Sequence, residues 1–289
     1  MSGTNHLREG WSIQWPAFFP TLTLLFLLGP VAAGLLGTLL PSFGLLRLSG
    51  DPAFSLVPWT ALAEWPGLAR SLWLSLKTGL ISTCIAFVLA VLLVAGWQGT
   101  RCFNIAHGFL SPLLSLPHTA AALGLAFLVA PSGWIARLFS PWATGWDRPP
   151  DLLILNDPGG WSLIFGLVLK ELPFLLLMLI AALPQLQVRD RRNVATALGY
   201  GAVLGWCLTV LPGAYRQMRL PVYAVLASAM SNVDMALILG PTAPPVLSMQ
   251  ILKAMNDPDL HTAHRLPQRP WSNLCWFFWR FWCGDLAKS

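Results

Sequence analysis

The chain reads as an all-α, polytopic transmembrane helical bundle of about five to six spans, with one structured loop between two late spans. Three observations carry that reading. Charged residues make up 10% of the 289 positions against 55% hydrophobic, with a mean hydropathy of +0.62, whereas soluble domains carry about 25% charged residues. Apolar runs recur at the length a bilayer demands, roughly 20 residues of helix for about 30 Å of hydrocarbon. Arginines gather in a few connecting segments and acids in others, the asymmetry that sets the orientation of a membrane protein.

Taken in order, the first residues are polar (His6, Arg8, Glu9) and lead into Pro16–Leu40, which carries no charge. That run exceeds the roughly 7–15 residue core of a secretory signal, so it is expected as a first span. Residues 41–70 mix Asp51 and Glu64 with Pro and Trp, and the spacing of Trp59, Leu62 and Trp65 predicts a short helix at the membrane surface. The second span is expected over Trp73–Trp97, with a tryptophan at each boundary and Lys77 near enough to its end to snorkel. His107–Ala130 follows as a third span interrupted by Pro117, and Ile135–Trp142 as a surface helix. Trp161–Leu183 is the fourth span and Leu220–Leu239 the fifth, followed by the rigid turn Gly240–Pro245. The tryptophans are read mostly as interface anchors.

Between the last two spans lies Arg189–Pro212. Arg189, Arg191 and Arg192 open it, and Val194, Ala197 and Leu198 then share one helical face. Gly199 and Gly201 interrupt that helix, since glycine permits backbone angles other residues resist. A second stripe follows at Leu204, Leu208 and Leu211, and Pro212 punctuates it. The segment is a helix, a glycine turn and a helix, too short and too basic at its start to cross a bilayer. Its apolar side needs a partner to cover it, or it serves as an amphipathic lid over the helix ends. With the amino terminus inside, this loop, Arg8, Arg101, Arg216 and Arg219 all fall in the cytoplasm, and the loop acids mostly fall outside.

Charges within the spans are costly, at least about 2.5–3.5 kcal/mol each at mid-bilayer, and call for a partner or a cavity. Lys170 lies about 14 Å into the fourth span, and Asp234 about 8 Å from the outer end of the fifth, at 1.5 Å per residue. The two are within reach of each other if those spans pack. Glu171 points elsewhere on the helix. Lys170, Glu171 and Asp234 therefore either line a solute pathway or pair helices structurally. His118 is read as hydrogen-bonded to a neighbouring helix rather than as a ligand.

Several function classes find no support. There is no HExxH, no GxSxG and no catalytic cluster of carboxylates or histidines, so an enzyme is not expected. A GxxxxGK[ST] phosphate loop is missing too, which assigns any ATP hydrolysis to a partner. The net charge of +6 has no basic stripe outside the loop, which argues against nucleic acid. The five cysteines show no metal-ligand spacing, and neither metal nor cofactor is expected.

The pair Leu198-Gly199, followed thirteen residues after that glycine by Pro212 in Leu211-Pro212, resembles the cytoplasmic signature loop of the permease subunits of bacterial binding-protein-dependent ABC importers, of the MetI-like kind. That signature runs Glu-Ala-Ala, three residues, Gly, and later Leu-Pro. Aligned on Gly199, its Glu falls on Asn193 and its first Ala on Val194, which depart from it, while Ala195, Leu198, Gly199, Leu211 and Pro212 match. The likeness extends over about residues 60–262 and includes the runs SLWLSLKTGLISTCIAFVLAVLLVAGW and KELPFLLLMLIAAL. The ending SNVDMALILGPTAPP looks like a branch near the thiamine, iron and polyamine permeases. The resemblance implies a cytoplasmic amino terminus over residues 1–15, a permease domain over 16–262 with its coupling loop at 184–219, and a solute pathway shared with a second permease half. It further implies a cytoplasmic ABC ATPase gripping the loop, a periplasmic solute-binding protein and a place in the lipid of the inner membrane. Within the loop, Ala195, Ala197 and Gly199 would allow close approach, Leu198 and Leu204 would supply the contacts buried by the partner, and Gly201 belongs to the same coupling segment. The alternatives are an ion-driven secondary transporter using Lys170, Glu171 and Asp234, and a structural or incomplete membrane fragment. Residues 263–289 depart from the family: Leu274–Cys283, broken by Arg280, is too short to span, and a truncated or frameshifted end of a longer chain holding two permease halves is expected.

Overall fold

A computed structural model describes residues 15–43, 45 and 54–256. The expectations for the first dozen residues and for the tail after Asp259 lie outside that range. Among the described residues all regular structure is helical, and the chain divides into two units at Trp65–Pro66.

The first unit holds α1 (Trp15–Ser42), apolar over its whole length, and the short α2 (Val57–Ala63). Pro58 in the first turn of α2 sits where a missing N–H costs nothing. The turn between them is closed by aromatic packing, with Phe43 stacked on Phe54 at 5.8 Å and tilted against Trp59 at 5.6 Å. A short helix was expected around Trp59, and α2 supplies the helix, ending before Trp65.

The second unit, Pro66–Lys253, is built on α3 (Leu68–Trp97). Two helices then take the place of the predicted third span, α4 (Arg101–Ser115) and α5 (His118–Val129), and the short α6 (Trp134–Phe139) follows. The physical reason is Pro117, which lacks an N–H and holds Leu116 before it in an extended conformation. The apolar stretch long enough to cross a membrane is accordingly His118–Phe139 rather than His107–Ala130.

Next comes α7 (Trp161–Ala182), extended to Leu186 by a 3-10 turn, the principal partner of α3. The α3 face that it and later helices cover is made of Ser71, Ser75, Thr78, Gly79, Ser82, Ala86 and Ala90, all buried. Small residues let backbones approach closely where lipid offers no hydrophobic drive between helices. At Gly79 a Cβ would collide with the Met230 side chain.

Beyond the loop helices α8 (Val188–Ala197) and α9 (Ala202–Thr209), α10 (Leu211–Ser231) packs on α3 and α7. The predicted fifth span, Leu220–Leu239, is thus entered nine residues early, because Pro212 opens α10 in its first turn instead of closing the loop. It also breaks. Asn232 leaves the helix and its side chain caps α11 (Val233–Leu239) by accepting from Met235 N–H at 2.8 Å, bending the pair by 49°. The last described helix is α12 (Leu247–Met255).

Four helical stretches among the described residues are long and apolar enough to cross a membrane, and the bent α10–α11 pair makes up to five. Their outward faces are lined by exposed apolar side chains such as Trp73, Leu80, Phe165 and Leu169, as a lipid-facing surface requires. Two clusters of buried apolar residues hold the unit together. One runs from α3 and α7 into the loop through Leu179, Leu183, Trp206, Val210 and Met218. The other joins α5, the first half of α7 and α11 through Leu125, Leu167, Met235 and Leu239.

Candidate functional site

The loop between α7 and α10 is a compact helical pair. Gln187, at φ +48°, turns the chain sharply into α8. At the other end of α8, Tyr200 N–H donates to the Ala195 carbonyl at 3.0 Å and Gly199 N–H to the Thr196 carbonyl at 2.9 Å. This is the Schellman closure, and it requires the left-handed conformation that Gly199 adopts at φ +82°. Gly201, extended and with open space around it, precedes α9.

Helix α8 folds back onto α9 through Ala195, which is 3% exposed, and Gly205, where a Cβ would lie 2.8 Å from that of Ala195. Arg191 closes the pair by donating to the Thr209 carbonyl, the last of α9, at 2.8 Å. A cation on a helix C-terminus satisfies an orphan carbonyl and opposes the dipole there. So Arg191 ties the two loop helices together. Beneath them Trp206 is fully buried, an exception to the reading of the tryptophans as mostly interface anchors. Its position in the period, between the exposed Leu204 and Leu208, was the available signal.

What the pair leaves outside is apolar. Leu198 is 69% exposed, Val194 57%, Leu204 55% and Leu208 53%. Asn193, Ala197, Gly199, Gly201 and Pro212 are exposed as well, and Leu211 is half-buried. Of the expected contact residues, Ala195 is buried and Leu211 packs in part against the core, while the others face outward.

The second place is the middle of α7. Lys170 does not pair with Asp234. Its ammonium donates to the Leu116 carbonyl at 2.6 Å, to that of Leu114 at 3.3 Å and to that of Leu113 at 3.4 Å. The cause is the break in the helix: the Leu113 carbonyl would normally receive the N–H four residues on, which is Pro117 and has none. Irregular backbone at membrane depth has to be satisfied by some neighbour, and here Lys170 does it.

Glu171, one residue on, is 6% exposed, and its Oε1 has no hydrogen-bond donor among the described residues. The nearest candidate is His118 Nε2 at 4.0 Å, too far for a hydrogen bond. His118 in turn lies within electrostatic reach of Lys170 and of Asp234, which sits in the first turn of α11. A cavity of about 280 Å³ opens here, lined by His118, Lys170, Glu171, Phe174, Val225 and Ser228 among others.

The start of α7 is fixed independently. The Asp157 carboxylate accepts from Trp161 N–H at 2.8 Å and from Ser162 N–H at 2.9 Å, and the Ser162 hydroxyl is shared between that carboxylate and the Leu239 carbonyl. Burial favours the neutral acid at Asp157, but these hydrogen bonds outweigh it and hold the carboxyl below its ordinary range. Asn156 donates to the Gly240 carbonyl at 2.7 Å, so the beginning of α7 is pinned to the end of α11. Lys77, expected to snorkel, instead donates to the Gly159 carbonyl at 2.9 Å and lies over the Trp161 ring.

A relative is consistent with the loop and the bundle together. The chain is 34% identical over 229 residues to the inner membrane ABC transporter permease protein YnjC of Escherichia coli K12. It resembles an ABC transporter permease. The match takes in 78% of this chain and 42% of the relative, so the chain spans less than half the length of the protein it matches. No protein-family model matches the chain.

Proposed function

We propose that this chain is a permease subunit of an ABC importer in the inner membrane. In this reading α3, α5, α7 and α10–α11 form half of a solute pathway completed by a second permease half, identical or different. A separate cytoplasmic ATPase grips the α8–α9 pair, a periplasmic binding protein delivers the solute, and the amino terminus is cytoplasmic. The observation that carries the reading is the α8–α9 pair itself: a short rod, closed at both ends by hydrogen bonds, that turns Val194, Leu198, Leu204 and Leu208 outward. Apolar side chains exposed so heavily on a basic loop are a surface for a partner, and rigid helices transmit motion where a flexible loop would absorb it. The 34% identity to a protein named as an ABC transporter permease supports it.

The test is capture through that surface. A cross-linker at Leu198→Cys, in the full chain in native membranes, is expected to trap a subunit that carries a GxxxxGK[ST] loop and hydrolyses ATP. Gly199→Asp, which forces a side chain into the left-handed position, is expected to abolish the capture. Trapping of lipid alone, or labelling of the introduced thiol from the outer side of the membrane, would falsify the assignment. Ion-driven uptake by the chain alone would favour a secondary transporter instead, since helices broken at membrane depth, as at Asn232, also occur in such carriers.

A further inference from the structure

We infer that the groove between the α3–α4 turn and the first turns of α8 is a binding site for the headgroup of an anionic phospholipid, with Arg189 and Arg192 as its phosphate contacts. The inference goes beyond the proposed function and does not rest on it, since it needs only that α3 and α7 cross the membrane. Both of those spans end at this groove, α3 at Trp97 and α7, through its 3-10 turn, at Leu186. Trp97 is 53% exposed there, as a tryptophan at a membrane boundary is. A space bordered by the ends of two spans lies at headgroup depth. Here it is an open groove of about 770 Å³.

Helix α8 divides its faces. Arg189, Arg192, Asn193 and Thr196 fall at i, i+3, i+4 and i+7, so they share the face that lines the groove. Val194 and Leu198, the outward apolar residues, lie on the opposite face. Arg191 is taken up by the Thr209 carbonyl. The guanidiniums of Arg189 and Arg192, by contrast, have no hydrogen-bond or ion-pair partner among the described residues. Asp190 also borders the groove and pairs with neither, which leaves two cations against one anion in the lining. A guanidinium presents paired donors that match a phosphate, and basic side chains at an anionic leaflet hold its headgroups. The inner wall is apolar: Phe103, Ile180 and Val188 pack on the main buried cluster and also border the groove. A soluble anion has no use for such a wall, whereas the upper part of an acyl chain covers it. Gln98 adds an acceptor to the lining. Its Oε1 is buried without a donor among the described residues, and a turn about the broad terminal torsion of the side chain offers it to a headgroup hydroxyl.

The experiment is native mass spectrometry of the full chain in a neutral maltoside detergent. Phosphatidylglycerol, phosphatidylmethanol and phosphatidylcholine with the same acyl chains are titrated separately, with and without inorganic phosphate. The expected result is a first phosphatidylglycerol bound on the order of tenfold tighter than phosphatidylcholine. Arg189→Gln combined with Arg192→Gln is expected to remove that preference. Arg216→Gln combined with Arg219→Gln, an exposed pair on α10, is expected to keep it. Gln98→Leu is expected to weaken phosphatidylglycerol about two- to fivefold and to leave phosphatidylmethanol, which has the charge but no headgroup hydroxyl, unchanged. Should the double groove variant fail to fold, Arg189→Gln and Arg192→Gln singly carry the test, and an unchanged preference in both overturns the proposal. So does equal affinity for phosphatidylglycerol and phosphatidylcholine, or an equal loss in the α10 pair. Displacement of the lipid by inorganic phosphate assigns the groove to a soluble anion and overturns it too. A lipid preference retained in the double variant, with the ATPase capture through Leu198→Cys lost, assigns the two arginines to a protein partner instead.

Discussion

The α8–α9 pair and the middle of α7 are mismatched to their surroundings in opposite senses. The loop pair has the C-terminal ends of both its helices closed, by the Schellman closure at Gly199 and by Arg191 on Thr209, and leaves apolar side chains outside, while the buried Trp206 Nε1 between them has no partner among the described residues. The α7 layer lies in an apolar bundle and leaves a Glu171 carboxyl oxygen inside with no donor among the described residues. A surplus of apolar surface in water asks for a partner with a matching face, and an unpaired charge in a bundle asks for a small polar occupant. On the proposed reading, the contrast separates two kinds of partner: a protein at the loop and a solute at the layer.

The sharpest way to break the comparison is to test whether the loop pair is a rigid body. Trp206→Ala removes the largest fully buried side chain in the unit, and substitutions of this kind cost about 3–5 kcal/mol. Leu204→Ala, two residues away and 55% exposed, is expected to change stability by less than about 0.5 kcal/mol. Thermal unfolding of the two variants in the same detergent measures the difference. Equal and small losses would show that the loop helices are loosely held and that the outward apolar face is incidental. Gly205→Ala tests the same rigidity from the other side. Its new Cβ meets that of Ala195, overpacking costs about 1–3 kcal/mol, and Ala195→Gly in the same chain is expected to recover most of it.

The α7 layer is sharpened by asking what Lys170 holds. Lys170→Met leaves the carbonyls of Leu113, Leu114 and Leu116 without their donor, an expected loss of about 1–3 kcal/mol. In a Pro117→Ala background the chain regains an N–H four residues after Leu113, so the same substitution is expected to cost measurably less. A double-mutant cycle by thermal unfolding reads this coupling, and additive losses would show that Lys170 does not answer the helix break. For the same reason, exchanging the charges of Lys170 and Asp234 is expected not to restore assembly, since the two do not pair.

These residues also show how far the sequence could be read. The all-α bundle, the short helices at α2 and α6 and the helix-turn-helix of the loop were legible, because apolar period and glycine punctuation are local signals. Gly199 was legible for the same reason, as a glycine just past the last turn of a periodic stretch. The Lys170 clamp was not. Its strongest bond reaches 54 positions along the chain to a carbonyl, and every residue carries a carbonyl, so no pattern marks the acceptor. Pro117 announced a break without saying what would satisfy it. Trp206 and Gly205 were missed for a related reason: composition places tryptophan at interfaces on average, and only the packing of α8 on α9 assigns these two to the inside. Asn232 falls within the expected fifth span, Leu220–Leu239, yet its side chain ends one helix by capping the next.

The smallest expected effect concerns the end of α7 away from the loop, and its sign follows from Asp157. Its hydrogen bonds from Trp161, Ser162 N–H and the Ser162 hydroxyl all favour the carboxylate, and they hold its carboxyl below the ordinary range in the folded chain. A group whose folded value is lowered contributes stability above its unfolded value, near 4, and loses it as the pH falls through the folded value. Acidification from neutral toward that range is therefore expected to loosen the start of α7, and with it the tie through Ser162 to Leu239. Asp157 is only partly buried, so solvent screens it and the change in Tm is expected to be small. Asp157→Asn should lower Tm at neutral pH and flatten this part of the pH profile. A variant whose acid limb matches that of the parent chain would assign the pH dependence to another carboxylate and remove Asp157 as the anchor that sets the depth of Lys170 and Glu171.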